Sequence, residues 1–256
     1  MKNAIVYSFH VRSGKVEDLL CYKQLRYSID TLRKFNTNIP VYVHISPSSI
    51  DTSNIVFDDN TSIVKFDVDN DGGWPDDWVN FGYLEFLKHR WENAINSIHT
   101  NNLDSILYMD TDTVFHADPE ILFEKYDGTS CVWARPDNSI DLMKKVEVWP
   151  GMNDGQFILN KSLANQGILK HMKFYVNHIL SKHKDKLTEK EYSDLGWVST
   201  QYAVWDYFQN INSPVKYFDE NEVMLHTEPE EKNTDKLVIH HYYTGNTSKF
   251  LPKEYM

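Results

Sequence analysis

Residues 105–115 read SILYMDTDTVF. The apolar run of residues 106–109 predicts a buried strand, and this strand leads directly into Asp110 and Asp112. Two carboxylates one residue apart at a strand end are costly to bury, because each loses hydration and each makes the other harder to ionise. A hard divalent cation with oxygen ligands would remove both costs. The segment therefore predicts a site for a metal ion and a phosphate group.

Strands and helices alternate in the residues that precede this segment. Apolar runs predict strands at residues 4–9, 40–45, 63–68 and 106–109, and helical spacing predicts helices at residues 17–35 and 81–98. Such alternation is typical of an α/β protein with a mixed, mostly parallel sheet that is flanked by helices. Sheets of this kind bind ligands at the carboxyl ends of their strands, which is where Asp110 and Asp112 are expected.

The pattern is looser in the second half of the chain. Strands are predicted at residues 130–134, 156–159 and 236–241, and helices at residues 163–180 and 198–208. A length of 256 residues is close to the upper size of one hydrophobic core. We therefore expect one domain over residues 1–256.

The overall composition argues against several classes of partner. The chain has 37 acidic and 26 basic residues, a formal net charge of −11, which opposes binding to nucleic acid or to an anionic membrane surface. Its two cysteines, Cys21 and Cys131, do not suggest a disulfide framework. No apolar run reaches transmembrane length, and no signal-peptide pattern precedes the first strand, so a cytoplasmic location is expected.

The Asp-x-Asp pattern has two interpretations besides a metal site of this kind. It can be an ordinary solvated turn. It also occurs in phosphohydrolases of the haloacid-dehalogenase type, where the first Asp is a nucleophile and the second an acid/base. Those enzymes carry the motif on their first strand and a Gly-Asp-x-x-x-Asp element later, whereas here it follows the fourth predicted strand and no such element follows.

Four segments, in order, resemble nucleotide-sugar glycosyltransferases of the GT-A fold, nearest to glycogenin-like and related capsule-sugar transferases. They are residues 106–115, residues 153–160 (NDGQFILN), Thr200-Gln201, and residues 238–245 (VIHHYYTG) with Lys249 beyond. The resemblance spans nearly the whole chain. It implies a hexosyl- or deoxyhexosyltransferase that moves a sugar from a nucleotide-diphosphate sugar, expected to be a UDP-sugar, to a glycan or another hydroxyl acceptor.

The resemblance also implies a metal site. Asp110 and Asp112 would hold Mn²⁺ or Mg²⁺ with a histidine from the closing segment, and Asp110 and Thr111 would contact the nucleotide. His240 and His241 are both candidates, because this chain has one residue more than the family between the His and the following Gly. His240 is favoured because it directly follows the strand, as the family His does.

Residues beneath the donor sugar follow from the same resemblance. It places Asn153, Asp154, Gly155 and Gln201 there, with Asp154 and Gln201 in catalytic positions that favour retention at the transferred sugar. Gly155 would let the backbone approach the sugar closely. Thr200 is a departure, since the family often has Asp at this position.

Nucleotide contacts are expected from several further residues. They are Ser8, Phe9 and Val11 near the first strand, Tyr22, Lys88 in preference to Arg90 on the helix at residues 81–98, Gly245, and Lys249 closing over the diphosphate. Tyr22 also fits the apolar face of its own helix. On this interpretation residues 1–115 form the nucleotide-binding half and residues 116–256 the donor-sugar and acceptor half. A catalytically silent sugar-nucleotide-binding module of the same fold is the remaining alternative.

Overall fold

The computed structural model describes most of the chain. The described residues are 1–11, 15–16, 19–68, 81–126, 128–132, 140–147, 151–225, 235–242 and 251–255. They contain ten strands: β1 Asn3–His10, β2 Val41–Ser46, β3 Thr61–Lys65, β4 Ser105–Met109, β5 Thr113–Phe115, β6 Thr129–Val132, β7 Asn153–Asn160, β8 Lys216–Tyr217, β9 Val223–Leu225 and β10 Ile239–His241.

Six α-helices connect these strands: α1 Leu20–Arg33, α2 Phe81–Thr100, α3 Glu120–Lys125, α4 Ile140–Val146, α5 Gly167–His183 and α6 Glu189–Asn210. Short 3-10 turns follow at Lys184–Lys186 and Lys253–Tyr255. The predicted strands and helices all have counterparts, and their ends agree within a few residues except at α6, which begins nine residues before the predicted start at residue 198. The short elements β5, α3, α4, β8 and β9 were not predicted. Among the described residues, no helix has the length and apolar character needed to cross a bilayer.

The main sheet has seven strands in the order β3-β2-β1-β4-β7-β6-β8. Strand β7 runs antiparallel to both of its neighbours, β4 and β6, and the remaining pairs are parallel. The expectation of a mixed, mostly parallel sheet flanked by helices is therefore confirmed.

Both faces of the main sheet are covered, as strand β1 shows. Ala4 and Val6 pack into a cluster with residues of α2, α5 and α6. Ile5 and Tyr7 pack into a second cluster that includes residues of α1 and the other strands. Because side chains alternate between faces, burial on both sides explains why β1 reads as a continuous apolar run.

A smaller sheet of three strands, β5-β10-β9, brings distant parts of the chain to the end of β4. The chain leaves the main sheet after Met109 and enters the small sheet at Thr113, so residues 110–112 form the link between the two sheets. Strand β10 pairs antiparallel with β5, with His241 opposite Thr113. The fold thereby places a C-terminal histidine beside the two aspartates.

Candidate functional site

Asp110, Asp112 and His241 converge where β4 ends. Candidate ligand atoms from the three side chains all lie within 4.8 Å of one another. The Nε2 atom of His241 is 3.0 Å from Oδ1 of Asp112 and 4.0 Å from Oδ2 of Asp110. Two carboxylates and one imidazole form a donor set that suits Mn²⁺, and the carboxylates also suit Mg²⁺. The arrangement fits the divalent cation that the sequence predicts.

His240 does not belong to this group, although it was the favoured candidate on the sequence alone. Its ring is 3.8 Å from the ring of Tyr242 and 6.3 Å from that of His116. Successive residues of a strand point to opposite faces, so His240 and His241 cannot face the same group from β10. The residue that joins the aspartates is His241.

Burial and mutual charge shape the protonation of this group. Burial raises the pKa of the Asp110 carboxyl to about 6, although nearby Arg90 and His241 oppose the rise. Burial lowers the pKa of the His241 imidazole, but attraction to Asp112 and Asp110 more than offsets it, so the pKa is raised overall. The carboxylates thus favour a positive charge beside them, which a cation can supply in place of a proton.

Arg90 is the basic residue of α2 that reaches the aspartates. Its Nη2 atom is 3.1 Å from Oδ1 of Asp110, and its Nη1 atom is 3.3 Å from Oδ1 of Asp154. Lys88, the predicted residue, is buried two positions earlier on the same helix. Two positions correspond to roughly 200° around a helix, so Lys88 points away from the direction that Arg90 takes.

Asp154 lies deeper than the sequence predicted. Its side chain has no exposed surface. It accepts hydrogen bonds from Arg90 Nη1 at 3.3 Å, Trp91 Nε1 at 3.2 Å and Gln201 Nε2 at 3.2 Å. A carboxylate enclosed by three donors does not present an oxygen to a sugar, which argues against the predicted direct catalytic contact. Gln201 lies beside it, as the sequence predicted.

A stack of aromatic rings supports Asp154 from below. The ring centroids of Trp91 and Phe157 lie 3.9 Å apart at an interplanar angle of 7°. Phe157 also stacks on Tyr108, at a centroid distance of 5.0 Å and an interplanar angle of 11°. Tyr108 and Phe157 are register partners in the β4–β7 pair. The stack therefore joins α2, β4 and β7 and fixes the indole N–H that Asp154 accepts.

Gly155 allows the backbone of β7 to pass close to the aspartates. A Cβ atom at this position would lie 2.7 Å from Oδ2 of Asp110 and 2.8 Å from Cε1 of His241. Asn153 fixes the local turn, since its Oδ1 accepts from the backbone N–H of Gly155 at 2.9 Å. The sequence predicted close approach at Gly155, and in the structure the near groups are the candidate metal ligands.

A buried chain of hydroxyl groups holds the link between the two sheets. Thr113 Oγ1 donates to the backbone carbonyl of Asp110 at 2.7 Å and lies 3.1 Å from Ser28 Oγ. Ser28 Oγ in turn lies 2.8 Å from the hydroxyl of Tyr7. These hydrogen-bonded hydroxyl groups connect β1 and α1 to the Asp-Thr-Asp turn. The connection was not predicted, because its members are far apart in the sequence.

The residues predicted to contact the nucleotide near β1 are largely enclosed. Ser8 and Phe9 belong to the strand itself and are buried, and so is Val11. The backbone N–H of Val11 donates to Ser46 O at 2.7 Å, so in this structure it is not available to donate to a nucleobase. Tyr22 is buried in the core against Phe57, at a ring distance of 6.1 Å, in agreement with the interpretation as a core residue.

Three other predicted contacts remain predictions. Thr111 lies between the two aspartates and is half-buried. Gly245 and Lys249 lie outside the described residues. The predicted roles of all three in nucleotide binding therefore rest on the sequence.

Comparison with known proteins gives matches in structure alone. No family model matches the chain, and no curated protein matches it in sequence. The chain resembles the solved structure of the galactosyltransferase LgtC in complex with donor and acceptor sugar analogues, at 14% identity and a TM-score of 0.53, over 94% of this chain and 87% of that one. It also resembles mouse xyloside xylosyltransferase 1, at 10% identity and a TM-score of 0.59, over 94% and 98% of the two chains.

A third similar structure is the glycosyltransferase GlyE of Streptococcus pneumoniae, at 12% identity and a TM-score of 0.52. The match covers 96% of this chain and 56% of that one. At sequence identities this low, structural similarity establishes the fold but not the reaction. The chain has the GT-A fold that these glycosyltransferases share.

Proposed function

We propose that this chain is a metal-dependent glycosyltransferase that moves a sugar from a nucleotide-diphosphate sugar, a UDP-sugar, to a glycan or another hydroxyl acceptor. The observation that carries the proposal is the meeting of Asp110, Asp112 and His241 at the carboxyl end of β4 in a GT-A fold. In the transfer, the bond from the sugar anomeric carbon to the diphosphate breaks and a bond to the acceptor oxygen forms, while the proton of the acceptor hydroxyl passes to the departing nucleoside diphosphate.

The protein's own residues have distinct parts in this reaction. Asp110, Asp112 and His241 would hold Mn²⁺ or Mg²⁺, which would supply Lewis acidity to the leaving diphosphate. Gly155 has no side chain and so leaves room for the side chains of Asp110 and His241. Arg90 keeps a positive charge against Asp110, and the buried bonds of Asp154 hold Arg90 and the Gln201 amide in place.

The stereochemical course is part of the proposal. Gln201 is a buried amide whose Nε2 donates to Asp154 Oδ1 at 3.2 Å. A neutral amide beneath the sugar stabilises positive charge at the anomeric carbon without acting as a base, and this favours retention. An inverting enzyme would instead need a carboxylate base beside the acceptor hydroxyl.

The alternatives are less well supported. A phosphohydrolase of the haloacid-dehalogenase type is not favoured, because the structural neighbours are glycosyltransferases and Asp110 follows the fourth strand. A silent binding module would keep the same fold. It differs from an enzyme only in turnover, so the experiment must measure binding and turnover separately.

The proposal is tested by thermal shift with a panel of UDP- and GDP-sugars, each with and without Mn²⁺, followed by donor hydrolysis assays. A ligand that binds the native state raises the apparent stability by mass action. We expect at least one UDP-sugar to raise the melting temperature only with Mn²⁺ and to be hydrolysed slowly. Asp112→Asn should lose both effects while keeping the unliganded melting temperature. Binding without turnover would favour the silent module, and no stabilisation by any sugar nucleotide would contradict the proposal.

A further inference from the structure

We propose that Asp154 is a positioning residue that sets the affinity of the Asp110–Asp112–His241 group for a divalent cation by holding the guanidinium of Arg90, without being a ligand itself. The inference rests on the metal site of the proposed function. It adds a residue that acts on that site through its contact with Arg90.

The geometry supports a shared guanidinium. Arg90 divides its two terminal nitrogens between two carboxylates, with Nη2 3.1 Å from Asp110 and Nη1 3.3 Å from Asp154. The Arg90 side chain is 10% exposed and that of Asp154 is 0% exposed. A buried charge is tolerated when it is paired and hydrogen-bonded. Asp154 meets this condition, because its carboxylate also accepts hydrogen bonds from Trp91 and Gln201.

The charges of these groups also support the inference. Asp110, Asp112 and Asp154 carry three negative charges, and Arg90 carries one positive charge. With a neutral imidazole, these contacting groups leave two negative charges, which matches a divalent cation. Without the charge of Asp154, the guanidinium beside Asp110 would repel the cation with nothing behind it to cancel the repulsion.

The signs of three variants follow from this arrangement. Asp154→Asn keeps the shape of the side chain and removes its charge, so the affinity for Mn²⁺ should fall by roughly tenfold or more. Arg90→Met removes the repulsive charge and keeps the length of the side chain, so the affinity should rise. The double variant removes both charges and should bind Mn²⁺ within about threefold of the wild type, because paired charges in contact are expected to be non-additive.

The experiment is a titration with Mn²⁺ alone, in which free aqueous Mn²⁺ is measured by electron paramagnetic resonance. Urea unfolding of each protein reports stability separately. Asp206→Asn is the matched control, since it also removes one carboxylate charge, from a partly buried acid on α6 that contacts His171 at 2.8 Å and none of the candidate ligands. It should lower the free energy of unfolding and leave the dissociation constant for Mn²⁺ unchanged.

The results separate this inference from the proposed function. If the wild type does not bind Mn²⁺, the metal site of the proposed function fails. If it binds and Asp154→Asn binds equally well, or Arg90→Met binds more weakly, the positioning role is overturned. A purely structural role predicts that both single variants bind more weakly and that the double variant is weakest. Should Asp154→Asn fail to fold, the sign of the Arg90→Met effect decides.

Discussion

The backbone N–H of Asp110 donates to the carbonyl oxygen of Gly155 at 2.7 Å, and the absent side chain of Gly155 leaves room for the Asp110 carboxylate. One residue therefore both holds Asp110 through its backbone and makes space for its oxygens. This relationship ties the end of β4 to β7, and it predicts that any side chain at position 155 displaces the candidate metal ligands.

Gly155→Ala should weaken Mn²⁺ binding by roughly 10- to 100-fold, which is the range typical of substitutions at residues that hold metal ligands in place without binding the ion themselves. The added methyl group would lie 2.7 Å from Asp110 Oδ2 and 2.8 Å from His241, so these side chains must move. Titration with Mn²⁺ measures the effect. Gly167→Ala is the control, because it is also crowded, 2.6 Å from Asn165 Oδ1, but lies on α5. Equal losses in both variants would contradict the prediction.

His241→Ala and His240→Ala should differ sharply. His241 lies 3.0 Å from Asp112, so its loss removes a ligand and should weaken Mn²⁺ binding by more than the roughly 10- to 100-fold expected for outer residues. His240 packs against Tyr242, so its loss should lower stability and leave the affinity for Mn²⁺ near that of the wild type. Mn²⁺ titration and urea unfolding of both variants distinguish the two effects. A stronger metal defect in His240→Ala would reverse the assignment.

Thr113→Val tests the buried hydroxyl chain. Valine keeps the shape of threonine but cannot donate to Asp110 O, so the free energy of unfolding should fall by about 1–3 kcal/mol. Metal affinity should fall with it, because the Asp-Thr-Asp turn loses its anchor. Thr129→Val is the control: the Thr129 hydroxyl is buried and accepts or donates no hydrogen bond within the described part of the chain. That variant should be as stable as the wild type or more so.

His44 should make the protein less stable in mild acid. Burial lowers the pKa of this imidazole from 6.5 to about 4, so the unfolded chain binds its proton more readily than the folded chain does. The neutral His44 contributes stability that is complete above pH 6.5 and is lost as the pH falls toward 4. The loss is at most about 3 kcal/mol.

His44→Gln isolates this contribution, since glutamine does not titrate. The difference in unfolding free energy between wild type and variant, measured by urea unfolding at several pH values, should decrease as the pH falls from 7 to 4. Gln166→Asn, at an exposed position before α5, exchanges one non-titrating side chain for another and should show a constant difference. A constant difference for His44→Gln as well would show that burial does not control this group.

The sequence predicts the long elements well, because their apolar periodicity extends over many residues. Residues 106–109 identify β4 and so place Asp110 and Asp112 at a strand end. Strands β5 and β9 have three residues each, which is too short for a period of two to be recognised. They form because β10 pairs with both, and such pairing between distant segments leaves no local pattern.

The sequence interpretation preferred His240 to His241 and Lys88 to Arg90, and the reasons for these two choices differ. The choice between His240 and His241 depends on strand register, since a shift by one residue moves a side chain to the other face, and the sequence does not fix the register of so short a strand. Arg90 did leave a signal. It is three residues after Leu87 and four before Ala94, so it lies on the apolar face of α2, and an arginine there needs a buried acidic partner.

Strand β10 is the last strand of the described chain, yet it is the middle strand of the small sheet. During synthesis from the amino terminus, both aspartates emerge well before the imidazole that joins them, and β5 and β9 belong to one sheet only because each pairs with β10. A nascent chain that ends after β9 therefore lacks the third member of the Asp110–Asp112–His241 group. The candidate metal site is therefore complete only once β10 has paired with β5.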